Sequence, residues 1–501
     1  MPAKRSLSLA LAMLLVAAIP ARATGFPEIH VVDTIRPGTQ SSYALWSVGR
    51  LGDYLYFSAD DGTHGSELWR TNGATTELVH EINTNGSGGA NGSSPWLFTQ
   101  LNDWIYFSAN DGTHGNELWR TNGTTTTLVM DIGAAYSIFD NSNPYYLTAL
   151  GDWLYFSADD GVLGTELWRT NGTDTEPVLD IYEGSYGSQP SRLIAFGAWI
   201  YFSASDGTSG YELWRTNGST TERVLDINPT IDGAGSSDPA YFAPFGDWLY
   251  FQANDGTSGY ELWRTNGSTT ERVFDINQTN AGSGGSFPNS FTALGSWLYF
   301  SADDGTSGWE PWRTNGSTTE RVQDINVGGI GSYPAVFTRF GDWIYFQANN
   351  GSSGGELWRT NGSTTELVED INTANSGADS SSPTYFKPLG DWLYFKAYDG
   401  TSNKLMRMNN ETVIESATIP GTNVGLYCMC SSTVSVLNNK LFFLMISNEI
   451  GFEFAYLEEP TAGLPSTDRD GSLWGTTLVL LTAVTAAAGL TVRKREVKRA
   501  Q

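Results

Sequence analysis

Short apolar runs recur along this chain, separated by polar loops. From Trp104 to Ala109 the residues are WIYFSA, aromatic and β-prone with no polar face. A strand that is apolar on both sides is buried on both sides. The polar loop Asn110-Asp111-Gly112-Thr113-His114-Gly115 follows, then a second β-prone run from Glu117 to Thr121. Asn122-Gly123 is a strong short-range hairpin signal and predicts a type I′ turn. Thr126 to Ile132 then predicts a last strand, and Trp96-Leu97-Phe98-Thr99 a first one. No segment in this stretch carries helical periodicity, so the pattern predicts four antiparallel strands joined by short connections.

The same block recurs along most of the chain. ELWRTNG-type strings begin at Glu67, Glu117, Glu166, Glu212, Glu261, Glu310 and Glu356. The GDWLYF-type strings carry tyrosines at 56, 106, 155, 201, 250, 299, 345 and 394, spaced by 50, 49, 46, 49, 49, 46 and 49 residues. Four strands repeating at such a period predict an all-β propeller of four-stranded blades over residues 28–457. After eight clear units a worn ninth follows, with runs at Thr433–Leu437, Lys440–Leu444 and Phe452–Leu457 and no fourth strand. Ile29-His30-Val31-Val32-Asp33 matches the Leu-Val-x-Asp-Ile endings of other units. The expectation is nine blades, the last completed by this N-terminal strand so that no sheet edge stays open. Eight blades with a cap is the alternative. Of 18 tryptophans, those of the two repeated strings predict an aromatic ladder packed between adjacent blades. The arginine of each ELWRT string is expected over a ring or against a glutamate.

The two ends read differently. Residues 1–23 combine Lys4-Arg5, an apolar run from Leu7 to Ile19 and the small-x-small site Ala21-Arg22-Ala23, which predicts a secretory signal peptide. Residues 473–492 hold no charge and are long enough to cross a bilayer as a helix. The basic tail at 493–501 would stay on the cytoplasmic side, with the repeat domain outside and 458–472 as a stalk. Leu464-Pro465-Ser466-Thr467 together with this tail resembles a bacterial C-terminal sorting signal, with Asp468 where the sortase motif has glycine. Leu464, Pro465 and Thr467 are its candidate residues, and processing and permanent anchoring both stay open.

A net charge of −26 argues against nucleic acid as a partner, because that needs a basic face. Cys428 and Cys430 are too few for a disulfide scaffold or a metal site of their own. The loops between second and third strands carry Asp60, Asp61, Asp111, Asp160, Asp206, Asp255 and Asp304, each within a turn that reaches glycine. Oxygen-rich turns suit Ca²⁺, so these are candidate calcium ligands, although Asp-Gly is also ordinary turn chemistry. The four histidines lie in the first third of the chain, and no nucleophile elbow, HExxH or P-loop is present.

The repeated Glu-Leu-Trp with a downstream Gly, preceded by loops such as DDGTHGSELW, resembles the ELWxxDGT repeat family of bacterial secreted and surface proteins over about residues 28–400, with Asn-Gly in place of Asp-Gly. That resemblance implies an extracellular β-propeller-like protein and brings no catalytic residues. The function expected is non-catalytic binding or adhesion, to a glycan or a protein, through the acidic-loop face. An exported carbohydrate-active enzyme and a structural envelope component are the rival readings.

Overall fold

The computed structural model describes residues 26–459, apart from 33–34, 37–41, 43–46, 86–91, 134–140, 230–234, 280–283, 375–378, 411–413, 418–433 and 448–450. The signal peptide, both cysteines, the Leu464/Pro465/Thr467 string, the 473–492 segment and the basic tail lie outside the described residues. No helix among the described residues is long and apolar enough to cross a membrane.

Nine four-stranded antiparallel sheets follow one another along the chain. Blade one comprises Val48–Leu51, Tyr54–Asp60, Ser66–Thr71 and Thr76–His80. Blade two comprises Trp96–Leu101, Trp104–Asn110, Asn116–Thr121 and Thr126–Met130. Blades three to eight repeat this order. Blade nine takes Ser435–Leu437, Lys440–Ser447 and Gly451–Glu458 from the C-terminal side and Ile29–Val31 from the N-terminal side. Ile29 pairs with Leu457 and Val31 with Ala455, so the N-terminal strand covers the outer edge of blade nine as its pattern predicts. The packed domain runs past the expected 28–457 at both ends: Phe26 packs edge-on against Tyr394, and Glu459 is buried.

The core lies between blades. Tyr56, Leu68 and Ile82 of blade one pack on Ile105, Phe107, Ala109 and Trp119 of blade two, and equivalent clusters follow round the ring. Leu389 and Tyr394 of blade eight meet Leu441 and Phe443 of blade nine. Phe442 and Phe454 of blade nine meet Leu55 and Phe57 of blade one, which closes the disc. Adjacent first strands are tied to each other: Thr99 Oγ1 donates to the Leu147 carbonyl, Thr148 Oγ1 to Leu193 and Thr292 Oγ1 to Phe337. They therefore form the inner wall of the ring.

The predicted type I′ turn is not formed. Thr121 pairs with Thr126, leaving a four-residue loop in which Gly123 has positive φ and Asn122 does not. Asn122 Oδ1 accepts from the backbone N–H groups of Thr124 and Thr125, and Thr121 Oγ1 accepts from Gly123. These side-chain acceptors stabilise a longer loop than the Asn-Gly pair alone would make.

The arginine after each Glu-Leu-Trp lies over a ring and pairs with a glutamate, except Arg120, which has the Trp104 ring but faces Thr127 where the others face a glutamate. Arg264 lies 4.1 Å from the Trp248 ring centroid and pairs with Glu271 at 2.6 Å. Its Nη1 also donates to the Gly316 carbonyl of the next blade at 3.0 Å. Arg169, Arg215 and Arg313 repeat the whole arrangement.

Candidate functional site

Antiparallel pairing sorts the connections onto two faces. The second-to-third loops and the crossovers between blades share one face, and the first-to-second turns and Asn-Gly loops share the other. The first of these, the loop face, holds all the acidic candidates.

Two positions in each such loop of blades one to seven act as turn caps. Asp60 Oδ1 accepts from Gly62 N, and Oδ2 pairs with Arg36 at 2.7 Å. Asp61 Oδ1 accepts from the N–H groups of Thr63 and His64, and Oδ2 meets His64 Nδ1 at 2.7 Å. Asp111 and His114 repeat that pair at 2.6 Å. Burial pushes the Asp61 carboxyl up, but the hydrogen bonds from Thr63 and His64 outweigh it and bring the group to about 2. Donating to Asp61 raises His64 in turn. Asp206, Asp255 and Asp304 cap their loops in the same way and face Arg223, Arg272 and Arg321 at 3.3, 3.1 and 3.0 Å. Asp160 Oδ1 accepts from Val162 and Leu163 N–H. Among the described residues, no three His, Cys, Asp or Glu side chains gather as a metal-holding group. A cation attracted to Asp61, Asp111, Asp206, Asp255 or Asp304 would have to displace a histidine or arginine.

The glutamate of the repeat is buried without exposure in seven blades. Its partner is a serine at the start of the next blade. Glu261 Oε2 accepts from Ile276 N at 2.9 Å and Ser286 Oγ at 2.6 Å, while Oε1 accepts from Ser286 N at 3.0 Å. Glu67–Ser93, Glu117–Ser142, Glu166–Ser188, Glu212–Ser237, Glu310–Ser332 and Glu356–Ser381 make the same short contact. Each carboxyl thus clamps both ends of a crossover. The pairs 166/188 and 310/332 are three residues closer in sequence than 261/286, which accounts for the two 46-residue spacings. Burial pushes Glu117, Glu212 and Glu261 up to about 7, against the downward pull of their donors. Ser286 Oγ also lies 3.3 Å from the Tyr260 carbonyl, so its proton can turn there when Glu261 is protonated.

The clamped serine opens a Ser-x-Pro entry to each of blades two to eight. The serine and proline are buried, while x points out or is partly covered: Ser94, Asn143, Gln189, Asp238, Phe287, Tyr333 and Ser382. Every one of these x residues has positive φ. Three positions on, a second positive-φ residue follows, where the first strand gains one residue against the second: Trp96 pairs with Ser108 but Thr99 with Tyr106. This is a β-bulge. Its side chains are Leu97, Tyr146, Arg192, Tyr241, Ser290, Val336 and Tyr385. Sequence reasoning missed both rings. A signal for them was present, because these positions differ from unit to unit while the flanking strings barely change.

Among the described residues, every exposed large hydrophobic side chain lies in the loop-face connections or at a strand end that meets them. They include Tyr145, Tyr146, Tyr186, Tyr241, Phe287, Val327, Ile330, Tyr333 and Val336. The Asn-Gly face has none of them.

No protein-family model matches the chain, and no curated protein matches it. Solved structures match it at low identity. The chain is similar to a structure from a study of two prolyl endopeptidases (10% identity, TM-score 0.38), covering 76% of this chain and 56% of that one. It is also similar to the tricorn protease (14% identity, TM-score 0.27; 83% and 39% covered) and to puromycin hydrolase (13%, 0.35; 75% and 60%). The chain thus spans less than two thirds of the length of each.

Proposed function

We propose that this is a non-catalytic surface protein, exported and held at the membrane by residues 473–492, that binds an extracellular ligand through the loop face. The observation that carries this reading is the one-sided display of apolar side chains. Water disfavours such display, and apolar patches on a soluble surface mark interaction sites. Here a near-uniform framework carries side chains that vary from blade to blade, on one face only. Loops on a rigid scaffold commonly carry binding. The resemblance to ELWxxDGT surface proteins points the same way.

The test uses cells displaying the full chain. Thr208, Thr257 and Thr306, exposed in the second-to-third loops, are changed to Lys as one set. Ser219, Ser268 and Ser317, exposed in the Asn-Gly loops, are changed to Lys as the other. The first set is expected to weaken surface attachment and the second to leave it unchanged. Loss only with the second set would refute the assignment of the face.

A further inference from the structure

We propose that the bulged first strands form a binding site for a neutral oligosaccharide, built around Tyr146, Arg192 and Tyr241 at the loop-face entrance to the ring. This deepens the binding reading above and rests on it.

The backbone supplies the first argument. Tyr146, Arg192, Tyr241 and Val336 have φ of 55, 56, 55 and 54°, a region that L residues enter at a cost and glycine enters freely. Tyr146, Tyr241 and Val336 belong to none of the hydrophobic clusters between blades, unlike Tyr385, so a glycine would serve their bulges equally well for packing. The extra residue is needed only to bring the next side chain into the core, as with Phe242 against Phe251 at 5.7 Å and Phe337 against Phe346 at 5.0 Å. Yet none of the seven bulges uses glycine. Strain retained where it could be relieved, by five residue types over seven blades, points to a use for the side chains.

The second argument is the cavity. One of about 500 Å³ is lined by Tyr145, Tyr146, Gln189, Arg192, Tyr211 and Asp238, among others. A second, of about 310 Å³, is lined by Tyr241, Ser290 and Val336. Both draw on blade five, through Asp238 at its entry and Tyr241 at its bulge, three residues further along the chain.

Their chemistry selects the ligand class. A pyranose offers an apolar C–H face and a rim of hydroxyls that both donate and accept. Tyrosine rings present flat apolar area with a polar tip. The Gln189 amide donates and accepts, Arg192 only donates, and the Asp238 side chain supplies acceptor oxygens. Asp238 Oδ2 accepts from the Tyr260 hydroxyl at 2.9 Å, and its second carboxyl oxygen is a further acceptor. Arg192 makes no ion pair among the described residues, unlike Arg169, Arg215 and Arg264. With one cation and one anion the pocket is neutral, and a chain of net charge −26 disfavours anionic ligands at long range.

The purified full chain is titrated with neutral hexasaccharides of β-linked glucose, xylose and mannose, and with oligogalacturonate. At least one neutral probe is expected to bind. Tyr146→Gly and Tyr241→Gly should each weaken it by about tenfold or more, with the thermal midpoint unchanged or raised. Leu97→Gly, at a bulge outside both cavities, should leave affinity unchanged. If a glycine variant loses both binding and stability, Tyr146→Asn decides, since asparagine tolerates positive φ and removes the ring: lost binding at wild-type stability supports the site and retained binding overturns it. Affinity within about twofold of wild type in both tyrosine variants overturns the site. Binding of oligogalacturonate alone overturns the ligand class. If no probe binds while cell attachment stays sensitive to the loop-face lysines, this proposal fails and the binding reading stands. If attachment is insensitive to those lysines as well, the reading itself fails.

Discussion

Arg407 of blade eight donates Nη1 to Glu459 Oε1 at 2.7 Å, where arginines of other blades reach a glycine carbonyl in the next blade. Arg407 is only 2% exposed, lies 3.9 Å from the Trp392 ring centroid and also pairs with Glu415 at 2.6 Å. Blade nine has no Asn-Gly loop to offer, and a carboxylate just past its third strand takes that place. The Tyr394 hydroxyl donates to the same carboxylate. The worn blade is thereby joined to the regular ones through the one strut that its sequence could not repeat.

Glu459→Ala should destabilise the domain by about 3 kcal/mol, because removing one partner of a buried pair leaves the other charge poorly compensated. Glu459→Gln keeps an acceptor and should cost less. Denaturant unfolding of the two variants measures this. Equal stability of Glu459→Ala and wild type would contradict the closing role.

The crossover clamp predicts a contrast of the same kind. Glu261→Ala leaves the N–H groups of Ile276 and Ser286 and the Ser286 hydroxyl without their acceptor, at about 1–3 kcal/mol for each group left unpaired. Glu261→Gln retains one carbonyl oxygen and should lose markedly less. Chemical denaturation of both variants gives the comparison.

The same carboxyls set a pH dependence. Glu117, Glu212 and Glu261 titrate near 7 when folded and near 4.5 when unfolded, so between these values the folded state binds more protons. Stability therefore falls as pH rises through that window. Asp61 has the opposite sign: its pKa is lowered from 3.8 to about 2, and its contribution is lost as pH falls through that range. The thermal midpoint should be higher at pH 5 than at pH 8. Replacing the three glutamates by glutamine should flatten the difference, and a midpoint that rises from pH 5 to pH 8 would contradict it.

Deleting residues 26–32 should strongly destabilise the disc. The deletion removes the strand paired with Leu457 and Ala455 and the Phe26 ring against Tyr394, and leaves an open edge on blade nine. Thermal unfolding at an unchanged midpoint would show that closure does not depend on this strand.

Val336 is a β-branched residue at φ 54°. Relief of that strain is of order 1–3 kcal/mol, partly offset by the greater freedom of glycine in the unfolded chain. Val336→Gly is therefore expected to raise the thermal midpoint, and a clear drop would mean the position is not strained.

Much of the architecture was legible in the sequence. Apolar runs such as Trp104 to Ala109 specify strands buried on both faces, and their repetition requires each block to cover its neighbour. The Ile29-His30-Val31 run could be matched to blade nine because it carries the ending of a fourth strand without the three before it. Such information is local, and the sequence by itself determines it. The Glu261–Ser286 clamp was not legible, although both residues recur in plain sight, because contact across a crossover depends on how the chain returns. The four-residue Asn-Gly loop follows from side-chain acceptors that compete with the dipeptide's own preference. The positive-φ rings at Asp238 and Tyr241 arise because the second strand and the core phenylalanine together force an extra residue into the first strand. Only tertiary packing decides where that residue's side chain goes, and in this disc it lies at the loop-face entrance to the ring.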